Sequence, residues 1–440
     1  MNGKLESAIQ ARLQSNGPIR VALLGAGASA AMIMRHLLRA VPWIKLVAVA
    51  NRDLSRAAAV IAEITGRLPV EVTASGELLA KAKQGETVVT QDADLLCDSS
   101  SVDLVIEATG TVEFGARRVL RALANQKHVV LVNAELDSTL GPILKTRAAD
   151  HGVILTHTDG DEPGVAMTLL RYLQSLGLRT VAAGNLKGMV DNYRTPETQK
   201  DFAAKLGMNP WKIASFADGT KLAMETCILA NATGFSAGRR GMYGPKCAHV
   251  REMGKLLPAD QMLNGGLVDY ALGAEPHTGA FVIVHEDHPR RQRDLAYFKM
   301  GEGPFYVFHT PFHLPHIQIA STIARAVLFG DPTVIPLGAP ICEVITIAKR
   351  NLQIGEVLDG VGGFMAYGVI ENAPISARQN LLPMGVSEGC RLLRNIPKDQ
   401  PITYADIELP QGRLCDQLRA QQGRHFGVET RLEERIKGNS

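Results

Sequence analysis

The chain has 440 residues, of which 46% are hydrophobic and 21% are charged. This balance favours a soluble globular protein over a disordered or membrane-spanning one. The formal net charge of +3 is small, and the basic residues form no long stripe interleaved with aromatic side chains. We therefore expect neither a nucleic-acid partner nor a membrane partner. The length predicts two or three domains.

The N-terminal residues and the cysteines bear on cellular location. Residues 1–18 distribute charges through a helical pattern and lack both an apolar core and a small-residue cleavage site, so we expect a cytoplasmic protein without a signal peptide. The six cysteines are scattered without a C-x-x-C pair. This spacing argues against a disulfide framework and against a structural zinc site.

The first clear motif is a glycine turn between a strand and a helix. The run IRVALL at residues 19–24 predicts a buried strand, and Gly25-Ala26-Gly27-Ala28-Ser29-Ala30 then forms a G-x-G-x-x-A pattern. The first glycine permits a tight turn, the second lets the backbone approach a pyrophosphate, and the small alanine lets the helix pack closely. We therefore predict a dinucleotide site with cofactor contacts at Gly25, Gly27, Ala28 and Ser29.

The second strand, KLVAVA at residues 45–50, bears on the choice of cofactor. An NAD enzyme usually has an acidic residue at the tip of this strand, whereas this chain has Asn51 and Arg52. A guanidinium suits the 2′-phosphate of NADPH, because it offers a rigid fork of donors. These residues favour NADPH over NADH, and the alternative is that Arg52 is an ordinary surface arginine.

Further strands at residues 102–110 and 127–135 alternate with helical segments. This alternation predicts a doubly wound parallel sheet of the Rossmann type whose ligand lies beyond the carboxyl ends of the strands. Thr109, Gly110 and Asn133 lie at those ends. We expect the nicotinamide to lie beside them.

The segment THTDGDEPG at residues 156–164 places Asp159, Asp161 and Glu162 in a loop between a strand and a helix. It is either an acidic surface turn or part of a metal and acid–base centre. Downstream, a strand at residues 180–188 contains Asn185 and Lys187. A helix beginning near Thr220 then places Lys221 and Glu225 on one face. The rest of that helix is apolar, so this pair is expected to face a cleft.

Other polar residues of the middle region allow more than one interpretation. The glycine-rich segment with Arg239, Arg240 and Lys246 is either a phosphate-binding loop or a flexible surface loop. Three histidines follow at His309, His313 and His316. The prolines between them favour polar lining of a cleft or helix capping over metal ligation.

From about residue 340 the sequence changes to short strands and turns, which predicts a small β-rich domain followed by a charged tail that ends as a loosely held helix. The fold class is therefore α/β, with three predicted segments. They are an NADP-binding Rossmann domain at 1–155, an α+β catalytic and dimerisation domain at 156–335, and the β-rich domain with its tail at 336–440.

The chain resembles the 1-deoxy-D-xylulose 5-phosphate reductoisomerase-like enzymes, a group related to homoserine dehydrogenase. The resemblance extends over nearly the whole chain. Its motifs here are LLGAGASA, VIEATGT, HTDGDEPG, GNLKGMVDNY, DGTKLAMETCILANATG, and a C-terminal AKRNLQIGEVLDG…LLRNIPKDQPITYADI that is similar to the SAF module. The first two are generic to dehydrogenases, and the middle three are more specific.

The resemblance implies an NADPH-dependent conversion of 1-deoxy-D-xylulose 5-phosphate to 2-C-methyl-D-erythritol 4-phosphate in isoprenoid precursor synthesis, by a homodimer acting on a small phosphorylated sugar. Such chemistry calls for Mg²⁺ or Mn²⁺. The implied metal ligands are Asp159, Asp161 and Glu162, with Glu225 or Asp191 as possible replacements. The implied catalytic residues are Lys187, Lys221, Glu225, Asp159 and Asn192. The implied substrate-binding residues are Asn185, Asn231, Arg239, Arg240 and Lys246.

Homoserine dehydrogenases usually carry an asparagine–lysine pair where this chain has Ala134 and Glu135. This difference disfavours simple homoserine oxidation. The alternatives are a metal-independent NADP-linked dehydrogenase, or an oxidoisomerase, acting on another small hydroxy acid or sugar acid. A non-enzymatic nucleotide or sugar-acid sensor is disfavoured by the many ionisable residues at predicted strand and loop ends.

Overall fold

The computed structural model describes residues 2–428, which divide into two compact units. Unit 1 comprises the residues up to Asp137 together with Leu144–Gly160 and Leu314–Ile335. Unit 2 comprises Ser138–Ile143, Asp161–His313 and the described residues from Pro336 onward. This division differs from the three consecutive segments that the sequence predicts.

Unit 1 is built on a six-stranded parallel sheet in the order β3-β2-β1-β4-β5-β6, the order of a Rossmann fold. The predicted fold class is confirmed. The strands are β1 (Ile19–Leu24), β2 (Ile44–Ala50), β3 (Val88–Thr90), β4 (Leu104–Glu107), β5 (His128–Leu131) and β6 (Leu155–His157). The helices in the same stretch are α1 (Asn2–Asn16), α2 (Ala28–Ala40), α3 (Leu54–Thr65), α4 (Ser75–Lys83), α5 (Ala93–Asp98), α6 (Val112–Ala124) and α7 (Ala134–Asp150).

The sequence of β1 and its turn explains why this fold forms. Its side chains are almost completely buried, as expected for a strand covered on both faces. Gly25 then has a φ of +104°, and a Cβ there would lie 2.9 Å from the carbonyl oxygen of Ala108. Only glycine suits both conditions, so the turn keeps β1 close to the end of β4.

Unit 2 contains a five-stranded mixed sheet in the order β11-β10-β7-β9-β8. Its strands are β7 (Arg179–Lys187), β8 (Ser236–Ala237), β9 (Leu267–Leu272), β10 (Ala280–His285) and β11 (Phe305–Thr310). Its helices are α8 (Glu162–Ser175), α9 (Lys200–Leu206), α10 (Pro210–Ala217), α11 (Thr220–Thr233), α12 (Met253–Leu256), α13 (Ala259–Leu263) and α14 (Pro289–Tyr297). Both α8 and α11 pack on β7, and they also pack on each other.

Helix α15 (Pro315–Ala324) returns the chain to unit 1. Ile319 and Ile323 join the buried core around Ile33 of α2. Near the end of this segment, the backbone N–H of His157 donates to the carbonyl oxygen of Val334 over 3.0 Å. The predicted middle segment 156–335 is therefore not continuous, because its last part packs on the Rossmann core.

The remaining elements belong to unit 2. Strands β12 (Cys342–Ala348) and β13 (Ala366–Asn372) form an antiparallel pair, as do β14 (Arg391–Leu392) and β15 (Ile407–Glu408). The short helix α16 (Ala373–Arg378) and the longer helix α17 (Leu414–Phe426) complete the fold. Because β12 and β13 pack directly on α11, these strands are part of unit 2 and do not form a third unit.

The predicted C-terminal helix is only partly described. Helix α17 has buried residues such as Cys415 and Leu418, so this part is packed firmly rather than loosely held. The rest of the predicted tail, residues 429–440, lies outside the described residues. Within residues 2–428, none of the helices combines the length and the apolar character needed to cross a membrane.

Candidate functional site

The glycine turn of unit 1 has the geometry of a dinucleotide site. Gly27 precedes the first turn of α2, and a Cβ built on it would meet no heavy atom within 4 Å. Ala30 is fully buried under the helix, while Ala28 and Ser29 open its first turn and are partly accessible. The turn therefore leaves room for a phosphate beside the N-terminus of a thirteen-residue helix.

At the tip of β2, the structure separates the roles of neighbouring polar residues. Asp53 caps α3, because its carboxylate accepts the backbone N–H of Ser55 over 3.1 Å. Asn51 donates its side-chain amide to the carbonyl oxygen of Asp53 over 2.7 Å. Arg52 is exposed to solvent. The carboxylate nearest this tip is thus engaged in capping, and the accessible charged group is the guanidinium.

The ends of β4 and β5 differ in how far their polar residues are buried. Gly110 has a φ of +70° and is partly accessible, as is Thr109. Asn133 is completely buried and caps α7, and its amide nitrogen donates to Glu107 over 2.6 Å and to the carbonyl oxygen of Thr111 over 3.0 Å. Asn133 therefore supports this edge of the sheet, and its contact with the cofactor stays a prediction.

A group of buried ionisable side chains in unit 2 forms what we call the lysine–carboxylate cluster: Asp161, Glu162, Lys187, Lys221 and Glu225. Lys187, at the end of β7, lies 2.5 Å from Glu162 and 3.3 Å from Glu225. Glu162 begins α8, and Glu225 lies in the middle of α11. Three elements that are distant in sequence thus bring one ammonium and two carboxylates together.

Lys221 completes this cluster from α11. Its Nζ lies 3.8 Å from Asp161 and 3.6 Å from Glu225. Its side chain is 11% exposed. The predicted placement of Lys221 and Glu225 on one helix face is what the structure shows, and both face into the fold rather than toward open solvent.

Burial and charge shift the pKa values in this cluster in opposite directions. Burial alone would raise the pKa of Glu162, but the Lys187 ammonium and His313 hold it below its usual range. Burial raises the pKa of Glu225 above its ordinary value, and the charge of Glu162 adds to this rise. Burial would lower the pKa of Lys187, but Glu162 and Glu225 raise it above normal. The cluster thus separates an ionised carboxylate from one that favours its protonated form.

The sequence interpretation missed the position of His313. Its Nδ1 lies 3.2 Å from Glu162, and burial would lower its pKa, but Glu162 raises it. Ligand atoms of Asp161, Glu162 and His313 all lie within 4.8 Å of one another, so they could hold a metal ion. The prolines flanking His313 argued against a helical pair of ligands, but the observed grouping needs no helix, because its members come from different segments.

Two of the predicted metal ligands lie elsewhere. Asp159 belongs to unit 1, where its carboxylate accepts the backbone N–H of Gly160 over 2.8 Å and the amide of Gln318 over 3.4 Å. Asp191 forms an ion pair with Arg194 over 2.9 Å. Asp161 and Glu162 therefore group with His313, and the neighbouring Asp159 is directed to a different set of contacts.

The predicted substrate-binding asparagines also separate. Asn185 is buried in β7, and its amide donates to Glu225 over 3.3 Å, so it adjoins the cluster. The side-chain oxygen of Asn231 accepts the backbone N–H of Ile341 over 2.8 Å and that of Cys342 over 3.1 Å. Asn231 thus joins α11 to β12, which is a structural contact.

Asn192, Arg239 and Arg240 line a pocket of about 360 Å³ in unit 2. This pocket meets α11 at Leu222 and Ala223, which lie on a different face of the helix from the lysine–carboxylate cluster. The charges of the two arginines are already engaged within the protein. Arg240 pairs with Glu371 over 2.7 Å, and Arg239 donates to the carbonyl oxygen of Met242 over 2.8 Å.

Lys246 is exposed and lines a second hollow, of about 540 Å³, together with Gly188 and Cys247. The structure does not bring it to the same pocket as Arg239 and Arg240. The three predicted phosphate-binding cations are therefore divided between two places, and two of them have internal partners.

Two family models match adjoining parts of the chain. Residues 25–157 match the NAD binding domain of homoserine dehydrogenase, and residues 160–319 match the catalytic domain of oxidoreductase DRL. The first match covers the glycine turn and strands β2 to β6 of unit 1, and the second covers the lysine–carboxylate cluster. Over these two stretches the chain is similar to NAD(P)-dependent oxidoreductases.

Solved structures of oxidoreductases resemble this chain at low identity. A homoserine dehydrogenase from Thiobacillus denitrificans is 23% identical over 50% of this chain and 49% of that chain, with a TM-score of 0.36. The chain therefore spans about half the length of that dehydrogenase. A myo-inositol dehydrogenase from Lactobacillus casei is 14% identical over 73% of this chain and 88% of that chain, with a TM-score of 0.39.

A DOX-P reductoisomerase, solved with NADPH, fosmidomycin and magnesium, is 17% identical over 48% of this chain and 58% of that chain, with a TM-score of 0.32. No relative among curated proteins matches the chain.

Proposed function

We propose that the protein is an oxidoreductase that uses NADP(H) to interconvert a carbonyl and an alcohol on a small hydroxy acid or sugar acid. The observation that supports this proposal best is the lysine–carboxylate cluster, in which Lys187 and Lys221 approach the buried Glu162 and Glu225. Clustered groups with opposed pKa shifts are typical of sites that transfer protons. The dinucleotide turn of unit 1 supplies the other half of the reaction, since it suits a nicotinamide cofactor.

Lys221 is the proposed proton donor. In the reducing direction, the carbonyl carbon receives a hydride from the reduced cofactor and the carbonyl oxygen receives a proton. The Lys221 ammonium lies 3.6 Å from Glu225 and 3.8 Å from Asp161, within the lysine–carboxylate cluster. The proton that Lys221 gives up returns from Glu225, whose protonated form is favoured by burial.

Lys187 has a different proposed role. Its raised pKa keeps it charged, and its contacts with Glu162 and Glu225 fix its position. A permanently charged ammonium at a partly accessible position, 21% exposed, can attract the carboxylate of an acid substrate. This cation is the reason for favouring an acidic substrate over a neutral sugar.

The cofactor preference gives a first prediction. Replacing Arg52 with alanine should weaken NADPH binding about tenfold, since charge-assisted hydrogen bonds to the 2′-phosphate are lost. NADH lacks that phosphate, so its affinity should change little. Fluorescence titration of both reduced cofactors measures the ratio, and the exposed Arg67→Ala is a matched control. Equal losses for both cofactors would assign Arg52 to general folding or charge instead.

A reductoisomerase acting on 1-deoxy-D-xylulose 5-phosphate is the second candidate. It is favoured by the grouping of Asp161, Glu162 and His313 within 4.8 Å, because two carboxylates and one imidazole suit a divalent cation such as Mn²⁺ or Mg²⁺. A bound cation would act as a Lewis acid toward adjacent substrate oxygens. For that to happen, His313 must lose the proton that Glu162 favours, and Glu162 must exchange its contact with Lys187.

One assay separates the two candidates. NADPH oxidation is followed with 2-keto acids, keto sugar acids and 1-deoxy-D-xylulose 5-phosphate, each with and without a chelator. We expect turnover of an acid substrate that survives complete removal of divalent cations. Turnover confined to the sugar phosphate, and lost on chelation, would replace the first candidate by the second. His313→Asn should leave the first activity largely intact and abolish any metal-dependent one.

A further inference from the structure

Glu107 is a completely buried carboxylate at the end of β4, and no role in the reaction has been assigned to it. It accepts the backbone N–H of Thr109 over 3.0 Å and the side-chain hydroxyl of the same residue. Its other oxygen accepts the amide of Asn133 over 2.6 Å. Three donors thus converge on one carboxylate within unit 1.

These contacts join four elements of unit 1. Asn133 also donates to the carbonyl oxygen of Thr111 over 3.0 Å and accepts the N–H of Leu136 over 3.0 Å, which caps α7. The hydroxyls of Thr109 and Thr111 lie 3.1 Å apart at the start of α6. Through these residues, Glu107 connects the ends of β4 and β5 to the beginnings of α6 and α7.

Helix α6 packs directly over this carboxylate. A Cβ built on Gly115 would lie 3.3 Å from the carboxyl carbon of Glu107 and 3.2 Å from the amide nitrogen of Asn133. The close packing leaves Glu107 dependent on its protein donors, because solvent does not reach it. Loss of one donor contact must therefore be met by movement of the loop at residues 109–111.

We propose that Glu107 is a positioning residue that fixes the loop at residues 109–111 in the conformation that receives the nicotinamide end of the cofactor. This inference rests on the proposed use of Thr109 and Gly110 in cofactor binding. Glu107 does not touch the cofactor itself. It acts through the backbone and hydroxyl of Thr109, while Asn133 links the same carboxylate to the start of α7.

The protonation state of Glu107 gives the inference a measurable signature. Burial raises the pKa of Glu107 to about 7, although the hydrogen bonds from Thr109 and Asn133 oppose the rise. The charged group facing it from α7 is Glu135, which raises the pKa further. An ionised Glu107 accepts all three donors. A protonated Glu107 carries a hydrogen that faces these donors, so it cannot accept all three hydrogen bonds. Because those bonds hold the loop at residues 109–111, cofactor binding should favour the ionised form.

Glu107→Gln reproduces the neutral form with nearly the same shape. We expect it to weaken NADPH binding about tenfold at about pH 8.5, because one charge-assisted contact is replaced by a donor facing donors. At about pH 6, where the wild-type residue is itself largely protonated, the two proteins should bind almost equally. Taking the ratio of the two dissociation constants at each pH cancels the titration of the cofactor's own phosphate.

Fluorescence titration of NADPH across this pH range measures that ratio, with thermal melting of each variant to confirm folding. Glu63→Gln, an exposed carboxylate of the same unit, is the control and should give a ratio near one at every pH. A Glu107→Gln ratio that is independent of pH would overturn the positioning role, whether its value is one or larger. If wild type fails to bind NADPH, the proposed function fails first, which is a separate result.

A second variant keeps the test decisive if Glu107→Gln does not fold. Glu135→Gln removes the neighbouring negative charge, so the pKa of Glu107 should fall. As pH is lowered, NADPH affinity should therefore begin to weaken at a lower pH in Glu135→Gln than in wild type. An unchanged midpoint in a folded Glu135→Gln protein contradicts the role of Glu107.

Discussion

Replacing Lys221 with methionine is expected to lower kcat by about 10²- to 10⁴-fold, because the reaction loses its proton donor. Methionine keeps much of the length and apolar volume of the lysine stem, so the packing of α11 around this position should be preserved. NADPH affinity should remain within about twofold of wild type, since the dinucleotide turn belongs to unit 1. Steady-state kinetics and fluorescence titration together measure the two effects.

Two further variants make the Lys221 result specific. Lys205→Met removes an exposed lysine of α9 in the same unit, and it should leave kcat unchanged. Lys221→Arg keeps the charge but has a much higher pKa, so it should restore little activity. Near-normal turnover by Lys221→Met, with normal folding, would remove Lys221 from the mechanism.

Replacing Lys349 with methionine is expected to destabilise the protein by about 3–5 kcal/mol, the typical cost of stranding a buried charge. The Lys349 side chain is 3% exposed, and its Nζ lies 2.9 Å from Asp218, whose side chain is fully buried. The same ammonium donates to the carbonyl oxygens of Arg194 over 2.7 Å and Gly363 over 2.8 Å. Urea denaturation near neutral pH, followed by circular dichroism, measures the loss.

The cause of that loss can be isolated with a second substitution. Asp218→Asn in the Lys349→Met background removes the unpaired charge. It keeps a side-chain oxygen for the backbone N–H of Thr220, which donates to Asp218 over 2.8 Å in the wild-type protein. The double variant should therefore recover part of the lost stability. Burial already raises the pKa of Asp218. The destabilisation caused by Lys349→Met should therefore grow as rising pH ionises the unpaired Asp218 carboxylate, and it should shrink in acid, where that carboxylate is protonated. A loss below about 1 kcal/mol, typical of an exposed pair, would contradict this account.

The Rossmann part of the fold was accessible from sequence because its determinants are local. The strand at residues 19–24 is predicted and observed with the same bounds, since an apolar run followed by Gly25 has few other interpretations. The structure of residues 70–100 was harder to predict from sequence. Their sequence is polar and irregular, yet Val88–Thr90 forms the edge strand β3 between helices α4 and α5. A three-residue strand gives too short a pattern to recognise.

The return of residues 314–335 to unit 1 could not be read from periodicity. The apolar face of α15 is evident in the sequence, but its partner, Ile33 on α2, lies almost three hundred residues earlier. Gly160 marks one side of this change of unit. It has a φ of +84°, and a Cβ there would lie 2.7 Å from the backbone of Leu314. That close approach is a tertiary contact with no local signature beyond the glycine itself.

The candidate site was partly predictable for similar reasons. Lys221 and Glu225 share a helix face at a fixed spacing, so their proximity follows from helix geometry. Their meeting with Lys187 and Glu162 depends on how β7, α8 and α11 pack, and His313 joins from the chain after β11. Asp159 and Asp161 are equally prominent in the motif, and their spacing could not show that the two carboxylates belong to different units.

The proposed reaction is tested most directly by transfer of label from NADPH deuterated at C4 into the product of an acid substrate. Wild-type protein should place deuterium on the former carbonyl carbon without added metal. Lys221→Met should bind the labelled cofactor with normal affinity and transfer almost none of it. Label transfer by Lys221→Met at the wild-type rate would contradict the claim that the lysine–carboxylate cluster of unit 2 is the catalytic centre.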